Sequence, residues 1–277
     1  MPPGRQGRHS GVPAGTAPSP RAPPNIGAMA GHSKWAQIKH KKAATDAKRG
    51  KQFTKLARAI TVAAREGGGD PEGNAALATA VQKARDYSMP KENIQRAIDR
   101  GMGGGGATGK IERAVYEGYG PGGAAILVES LTDNRNRTGA DVRHAFDKHG
   151  GNLGEPGSVA WIFETRGVVL VDADRYSEDD LMPAIDAGAE DVSEDGDLLK
   201  VVSAPGNLSA VRAALEQAGV EIESSELTME PRSTVEVGEG DARPLMRLME
   251  ALDEQDDVDA VHANFDIPAE VLEQVAA

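Results

Sequence analysis

The chain has 277 residues, a net charge of −12 and no cysteine. This length permits two or three domains with hydrophobic cores. The lack of cysteine excludes disulfides, thiolate nucleophiles and zinc–thiolate sites, and it is compatible with a reducing cytoplasm. Charged residues interrupt every apolar run before it reaches the roughly 18 residues that a membrane-spanning helix needs, so we predict no membrane segment.

Residues 1–28 are rich in proline, glycine, alanine and arginine, and Val12 and Ile26 are their bulky aliphatic side chains. A segment of this composition cannot bury enough apolar surface to fold alone. It lacks the apolar stretch of a secretory signal, and its seven prolines exclude the amphipathic helix of a mitochondrial presequence. We therefore expect a disordered extension, and we expect the natural start at Met29.

Positive charge is concentrated in residues 32–65, which contain ten lysines or arginines and one acid, Asp46. Residues 29–100 carry fifteen basic and seven acidic side chains, whereas residues 101–277 carry thirteen basic and thirty-six acidic ones. A basic block on an otherwise acidic chain indicates a partner with a phosphate backbone. A solvated helix face is the alternative interpretation.

The second part of this basic block has the spacing of an amphipathic helix. Phe53, Leu56 and Ile60 recur, together with three alanines, at the i, i+3, i+4, i+7 positions of a helix. This spacing predicts one packed face. The opposite face should then present four cations to solvent: Lys51, Lys55, Arg58 and Arg65.

Residues 34–49 hold few large apolar groups, so we expect this segment to be exposed and to end at Gly50. Trp35 either stacks on a nucleic-acid base or anchors local packing. The candidate nucleic-acid-binding residues of the basic block are Lys34, Trp35, Lys39, Lys41, Lys42, Lys48, Arg49, Lys51, Lys55 and Arg58.

Two further helices complete a basic all-helical domain at residues 29–101. Asp70 followed by Pro71 predicts the start of one helix, and Pro90 predicts the start of the next. Residues 102–109 follow as a glycine-rich linker. The pattern GxGxxG at residues 101–106 lacks the preceding strand that a dinucleotide-binding loop needs, so we predict no nucleotide site there.

Strand patterns begin after residue 110. We predict strands at residues 112–117 and 124–131, then a polar loop and a helix opened by a capping box at Thr138 and Asp141. Arg135 and Arg137 lie beside this helix start, where free N–H groups favour an anion, and they form a second candidate phosphate contact. The alternative is that both arginines pair with nearby carboxylates.

Strand and helix patterns alternate through the rest of the chain. We predict strands at residues 159–164 and 168–172, separated by a turn at Arg166 and Gly167. Repeated helix–turn–strand units predict an α+β, multidomain fold with two ferredoxin-like α/β domains. One comprises residues 110–157 and 232–277, and the other, at residues 158–231, is inserted in it.

No catalytic or metal-binding pattern occurs in the sequence. The histidines show neither HExxH nor a related spacing, and there is neither a GxSxG motif nor a P-loop lysine motif. Paired acids such as Glu190 and Asp191 are typical of exposed turns. We therefore predict no catalytic residue, no metal, no cofactor, no small-molecule substrate and no enzymatic activity.

Several long stretches of the chain, spanning residue 29 to about residue 272, form ordered motifs. They include AGHSKWAQIKHKKAATDAKRGKQFTKLARAI, MPKENIQRAIDRG, YEGYGPGGAAILVE and TDNRNRTGADVRHAFDKHGGNLGEPGSVAWIF. These stretches resemble the YebC/PmpR family, which is related to the mitochondrial translational activator of cytochrome oxidase subunit one. The resemblance implies a cytoplasmic, non-enzymatic protein with a helical domain followed by two α/β domains, one inserted in the other.

The resemblance also implies a function. Bacterial members of the family are known as DNA-binding transcriptional regulators, whereas mitochondrial relatives and some bacterial members act on translation at the ribosome. It therefore implies a probable DNA-binding transcriptional regulator, with an RNA-binding, ribosome-associated translation factor as the alternative. The helix at residues 51–66 offers mostly lysines and one glutamine, which fits phosphate or ribosomal RNA better than base edges. A third interpretation is an adaptor whose acidic half binds a basic protein.

Overall fold

The computed structural model describes residues 46–104, 111–268 and Val271. The predicted extension at residues 1–28 and the greater part of the predicted linker lie outside these residues. So do five of the candidate site residues, namely Lys34, Trp35, Lys39, Lys41 and Lys42.

Helices and strands are numbered in chain order through the described stretches. The helices are α1 (Asp46–Gly67), α2 (Ala75–Asp86), α3 (Lys91–Gly101), α4 (Arg135–Lys148), α5 (Met182–Asp186), α6 (Leu208–Gln217) and α7 (Glu239–Asp253). The strands are β1 (Glu112–Tyr119), β2 (Ala125–Thr132), β3 (Asn152–Leu153), β4 (Phe163–Asp172), β5 (Ala189–Asp195), β6 (Leu198–Ser203), β7 (Ile222–Pro231), β8 (Val235–Glu236), β9 (Val258–Ala263) and β10 (Phe265–Asp266).

Helices α1, α2 and α3 pack around one core and form a helical domain. The predicted inner face of α1 is confirmed, since Leu56 and Ile60 are buried in the same cluster as Leu77 of α2 and Ile94 of α3. α1 continues through Gly50, so the predicted end at this glycine is wrong. A single glycine in a helix interior costs only about 1 kcal/mol relative to alanine, and the packed turns that follow outweigh this cost.

The start of α2 also differs from the prediction. The helix begins at Ala75, and Asn74 is its N-cap, with a side-chain oxygen that accepts a hydrogen bond from Leu77 N at 3.1 Å. The Asn74 amide also donates to the carbonyl oxygen of Ala63 at 2.8 Å, which ties the start of α2 to α1. Asp70 instead accepts from Glu72 N at 3.0 Å and closes a local turn.

The first sheet has the strand order β3-β1-β2-β9, with antiparallel pairing throughout. Its core contains Ile126 from the sheet, Phe146 from α4 and Leu245 from α7. β8 and β10 form a short parallel pair beside it. β1, β2 and β3 precede the strands of the second sheet in the sequence, and β9 follows them. The first sheet is therefore built from two separate segments of the chain.

The second sheet is antiparallel, has the strand order β5-β6-β4-β7, and packs against α5 and α6. The predicted turn at Arg166 and Gly167 is wrong, since β4 runs through both residues. A Cβ at Gly167 would lie 2.6 Å from Ser203 Oγ and 2.9 Å from Leu208 Cβ. The glycine is therefore explained by the close approach of neighbouring side chains rather than by a turn.

The predicted α+β class is confirmed, because a helical domain precedes two sheets that pack against helices. In the second sheet the elements follow the order strand–helix–strand–strand–helix–strand, which is the ferredoxin-like arrangement. Within the residues that the structure describes, no helix is both long enough and apolar enough to cross a membrane.

The contact between α3 and α1 generates a first prediction. A Cβ at Gly101 would lie 2.5 Å from the carbonyl oxygen of Thr61 and 2.7 Å from Ala64 Cβ. Gly101→Ala should force the two helices apart and lower the free energy of unfolding by about 1–3 kcal/mol. Chemical denaturation followed by circular dichroism measures this loss.

Gly50→Ala is the matched control, because Gly50 lies inside α1 and a Cβ there would meet no atom within 4 Å. This substitution should raise the free energy of unfolding by about 0.5–1 kcal/mol. Similar effects from both substitutions would contradict the close approach of α3 to α1.

Candidate nucleic-acid interface

Asp257 lies in the turn between α7 and β9 and is 9% exposed. Its carboxylate accepts hydrogen bonds from Arg58 Nη1 of α1 at 2.6 Å, from Arg137 Nη2 of α4 at 2.5 Å and from Thr138 Oγ1 at 2.7 Å. Its backbone carbonyl accepts from the N–H of Leu131 in β2 at 2.8 Å. One residue thus joins the helical domain to the first sheet and to α4.

These hydrogen bonds determine the acidity of Asp257. Burial raises the pKa of the carboxyl, but hydrogen bonds from Arg137, Thr138 and Arg58 outweigh burial and lower the pKa to about 2. The carboxylate is therefore charged at neutral pH. Its bonds to the two guanidinium groups are charge-assisted, which makes them stronger than bonds between neutral groups.

The face of α1 opposite the helical core carries a second stripe of covered side chains. Lys55, Arg58 and Val62 recur at i, i+3 and i+7, and Lys55 is 6% exposed while Val62 is 2% exposed. Arg58 Nη1 also donates to the carbonyl oxygens of Leu131 at 2.9 Å and Asp256 at 3.0 Å. The prediction that Lys55 and Arg58 face solvent is therefore wrong, because the first sheet and the end of α7 cover this stripe.

The lysines of α1 meet the carboxyl end of α7. Lys55 Nζ donates to the carbonyl oxygen of Asp253 and lies 3.8 Å from the Asp253 carboxylate. Lys51, which is exposed, has its Nζ 3.4 Å from the carbonyl oxygen of Glu254. The last carbonyls of a helix have no partner within it and carry partial negative charge, so they attract cations.

The start of α4 accounts for the two arginines of the predicted loop. The helix begins at Arg135, with Asn134 as its N-cap, so the predicted capping box at Thr138 is wrong. Arg137 pairs with Asp133 as well as with Asp257, which is the local pairing that was the alternative to a phosphate contact. Arg135 lies 3.9 Å from Glu112 and its side chain stays 58% exposed.

A cleft of about 720 Å³ lies between α1 and the pair α4 and α7. Lys51 lines it on one side, and His144 and Lys148 of α4, together with His149 directly after this helix, line it on the other. The sequence patterns did not indicate these α4 residues, because they lie outside the basic block and among acids. Lys48 and Arg49 belong to the first turn of α1, and Gly50 separates them from Lys51 along the chain.

The described residues contain no group of three or more histidine, aspartate or glutamate side chains that could hold a metal ion. Asp257 and its donors Arg58 and Arg137 are engaged with one another, and the other cations that line the cleft are Lys51 and Lys148. Asp141, Glu254 and Asp256 line the same cleft, so the cleft carries side chains of both charges.

The protein thus belongs to a class in which a basic helical domain packs against an acidic α+β region, with a cleft between them. The profile described as the TACO1/YebC protein N-terminal domain matches residues 33–104, and that described as the TACO1/YebC second and third domain matches residues 111–265. The chain belongs to the TACO1/YebC family, and the family resemblance seen in the sequence motifs is confirmed.

Two relatives and one solved structure are similar to this chain over nearly their whole length. A probable transcriptional regulatory protein of Rubrobacter xylanophilus is 59% identical over 249 residues, covering 90% of this chain and 100% of the relative. One from Desulfotalea psychrophila is 53% identical over 251 residues, with the same coverage. The crystal structure of a conserved hypothetical protein from Aquifex aeolicus has a TM-score of 0.78 and 48% identity, covering 86% of this chain and 99% of that one.

Arg58→Ala should weaken the contact between the helical domain and the first sheet. It leaves the carboxylate of Asp257 and the carbonyls of Leu131 and Asp256 without one donor, so we expect a loss of about 1–3 kcal/mol in the free energy of unfolding. Chemical denaturation at neutral pH measures the loss. Arg65→Ala is the control on the same helix, because this exposed side chain has one described contact, to the carbonyl oxygen of Ile111 at 3.3 Å.

The control should change the free energy of unfolding by no more than about 0.5 kcal/mol. If Arg65→Ala destabilised the protein as much as Arg58→Ala, the special role of the Asp257 cluster would be refuted.

Asp257→Asn tests the charge of the carboxylate. The pKa of Asp257 is about 2 in the folded protein, below the value of about 3.9 in an unfolded chain. Ionisation therefore stabilises the fold above about pH 4, and this stabilisation is lost as the pH falls through 2. The variant should be less stable than wild type at neutral pH, and the difference should shrink in acid. A difference in melting temperature that stays constant between these limits would contradict the assignment.

Proposed function

We propose that this protein is a non-enzymatic regulator of gene expression that binds DNA through its basic N-terminal helical domain. The charge asymmetry carries the proposal, because residues 29–100 have a net charge of +8 and residues 101–277 have −23. A localised positive surface on an acidic protein attracts a phosphate backbone and restricts it to one side. The relatives from Rubrobacter xylanophilus and Desulfotalea psychrophila are each named a probable transcriptional regulatory protein.

The contacts within the protein narrow the set of residues available to a nucleic acid. Lys55, Arg58 and Arg137 bind carboxylates or carbonyls of the chain itself, so we remove them from the proposed contact set. Lys51 and Arg135 stay in it because both are exposed and their contacts within the chain are long, at 3.4 Å to the carbonyl oxygen of Glu254 and 3.9 Å to Glu112. The other members are those of the basic block: Lys34, Trp35, Lys39, Lys41, Lys42, Lys48 and Arg49.

Binding of ribosomal RNA during translation is the second candidate function, and one observation favours it. Recognition of base edges in the major groove commonly uses bidentate arginine, but Arg58 and Arg137 are engaged with Asp257. Lys51, which remains exposed beside the cleft, is a compact charge that binds phosphate on either DNA or RNA.

Competition binding at physiological salt separates these two functions. The probes are promoter DNA, scrambled DNA of equal length and ribosomal RNA. A sequence-specific DNA regulator should prefer one promoter over scrambled DNA by about 10³-fold or more. A ribosome-associated factor should bind all DNA probes equally and ribosomal RNA at least as tightly.

The affinity for duplex DNA should also fall with salt, with a slope of about −0.9 in log–log form for each phosphate contacted. Absence of binding to all three probes would overturn both functions.

A further inference from the structure

Most cations of the acidic part of the chain are neutralised by carboxylates of the protein. Eight lysine and arginine side chains between residues 111 and 268 form ion pairs, namely Arg113, Arg135, Arg137, Arg166, Arg175, Lys200, Arg212 and Arg232.

Three exposed cations differ from these eight. Arg143, Lys148 and Arg247 form no ion pair with a carboxylate anywhere in the described stretches. Residues 101–277 contain thirty-six acids and thirteen bases, so carboxylates are in excess throughout this half. A shortage of acidic residues therefore does not explain why these three cations are unpaired.

The three unpaired cations lie on two helices that pack against the same core. Arg143 and Lys148 belong to α4, and Arg247 belongs to α7. Burial lowers the pKa of His149, and the nearby Lys148 and Arg247 lower it further. His149 directly follows α4, so Arg247 of α7 lies near the same end of α4 as Lys148. We name Lys148 and Arg247 the α4–α7 cationic patch.

The α4–α7 cationic patch adjoins the cleft beside the helical domain. His144 and Lys148 line this cleft opposite Lys51, and Ala251, one helical turn after Arg247, lines it as well. The patch and Lys51, which belongs to the proposed contact surface of the helical domain, therefore lie on opposite sides of one cleft.

We propose, on the basis of the function proposed above, that the α4–α7 cationic patch is a second phosphate-binding surface for the nucleic acid that the helical domain binds. A nucleic-acid strand that contacts Lys51 passes over the mouth of the cleft, without entering it, and reaches Lys148 and Arg247. Unpaired, exposed cations bind phosphate without first giving up a partner, and release of counterions drives such binding.

Carboxylates in the cleft restrict the path of the nucleic-acid strand. Asp141, Glu254 and Asp256 line the cleft and form no ion pair with a described cation. They repel phosphate, whereas Asp257 is neutralised by Arg58 and Arg137. The backbone of the nucleic acid therefore runs along the rim formed by α4 and α7 and stays out of the cleft.

Charge reversal at two sites tests this surface. The variant Lys148→Glu with Arg247→Glu is compared with the control Arg175→Glu with Arg232→Glu, which changes the net charge equally at exposed cations that have carboxylate partners. Binding of a short DNA duplex and of a ribosomal RNA fragment is measured over a range of salt concentrations. Melting temperatures of all variants establish that each is folded.

The patch variant should bind at least about tenfold more weakly than wild type, and its salt slope on duplex DNA should be smaller by about 0.9 for each contact removed. The control should stay within about twofold of wild type, since its cations lie outside the proposed path. Equal losses in both variants, or no loss in the patch variant, would overturn the second surface while leaving the proposed function intact. A wild-type protein that binds neither probe would overturn the proposed function itself.

Discussion

The carboxylate of Asp257 accepts hydrogen bonds from Arg58 of the helical domain and from Arg137 at the start of α4. Two cations in one place would repel each other without this carboxylate, and a buried carboxylate would be costly without the cations. Lys55 extends the contact by binding Asp253 at the end of α7. The attachment of α1 to the first sheet therefore uses part of the charge that the sequence concentrates in residues 32–65.

The cations of the molecule consequently divide into two groups. Those of the first group are buried or half-buried, neutralise carboxylates or helix ends, and hold the fold together, as Arg58 and Lys55 do. Those of the second group remain exposed beside the cleft, among them Lys51 on α1 and Lys148 on α4. Because burial and pairing remove a cation from competition for an external anion, only the second group is suited to attract a phosphate backbone.

Helical and strand patterns predicted much of the fold. Leu56 and Ile60 have helical spacing, so they lie on one face of the helix, and this apolar face is the one that packs in the core. The burial of the opposite face of α1 could not be predicted. Arg58 binds Asp257, which is 199 residues away, and the spacing of residues within one helix carries no information about such a partner. Glycine is common in turns, which is why a turn was predicted at Gly167. Only the fold shows that Leu208 fills the space beside this residue. The unpaired cations of α4 and α7 are far apart in sequence, so no local pattern brings them together.

Amine-reactive labelling of lysines, quantified by mass spectrometry with and without nucleic acid, tests this division of cations most directly. We expect Lys55 to react slowly in both states, because it is 6% exposed and bound to Asp253. We expect Lys51 and Lys148 to react rapidly in the free protein and to become protected when duplex DNA or ribosomal RNA binds. Rapid labelling of Lys55 in the free protein, followed by its protection on binding, would show that Lys55 contacts the nucleic acid and would contradict the division proposed here.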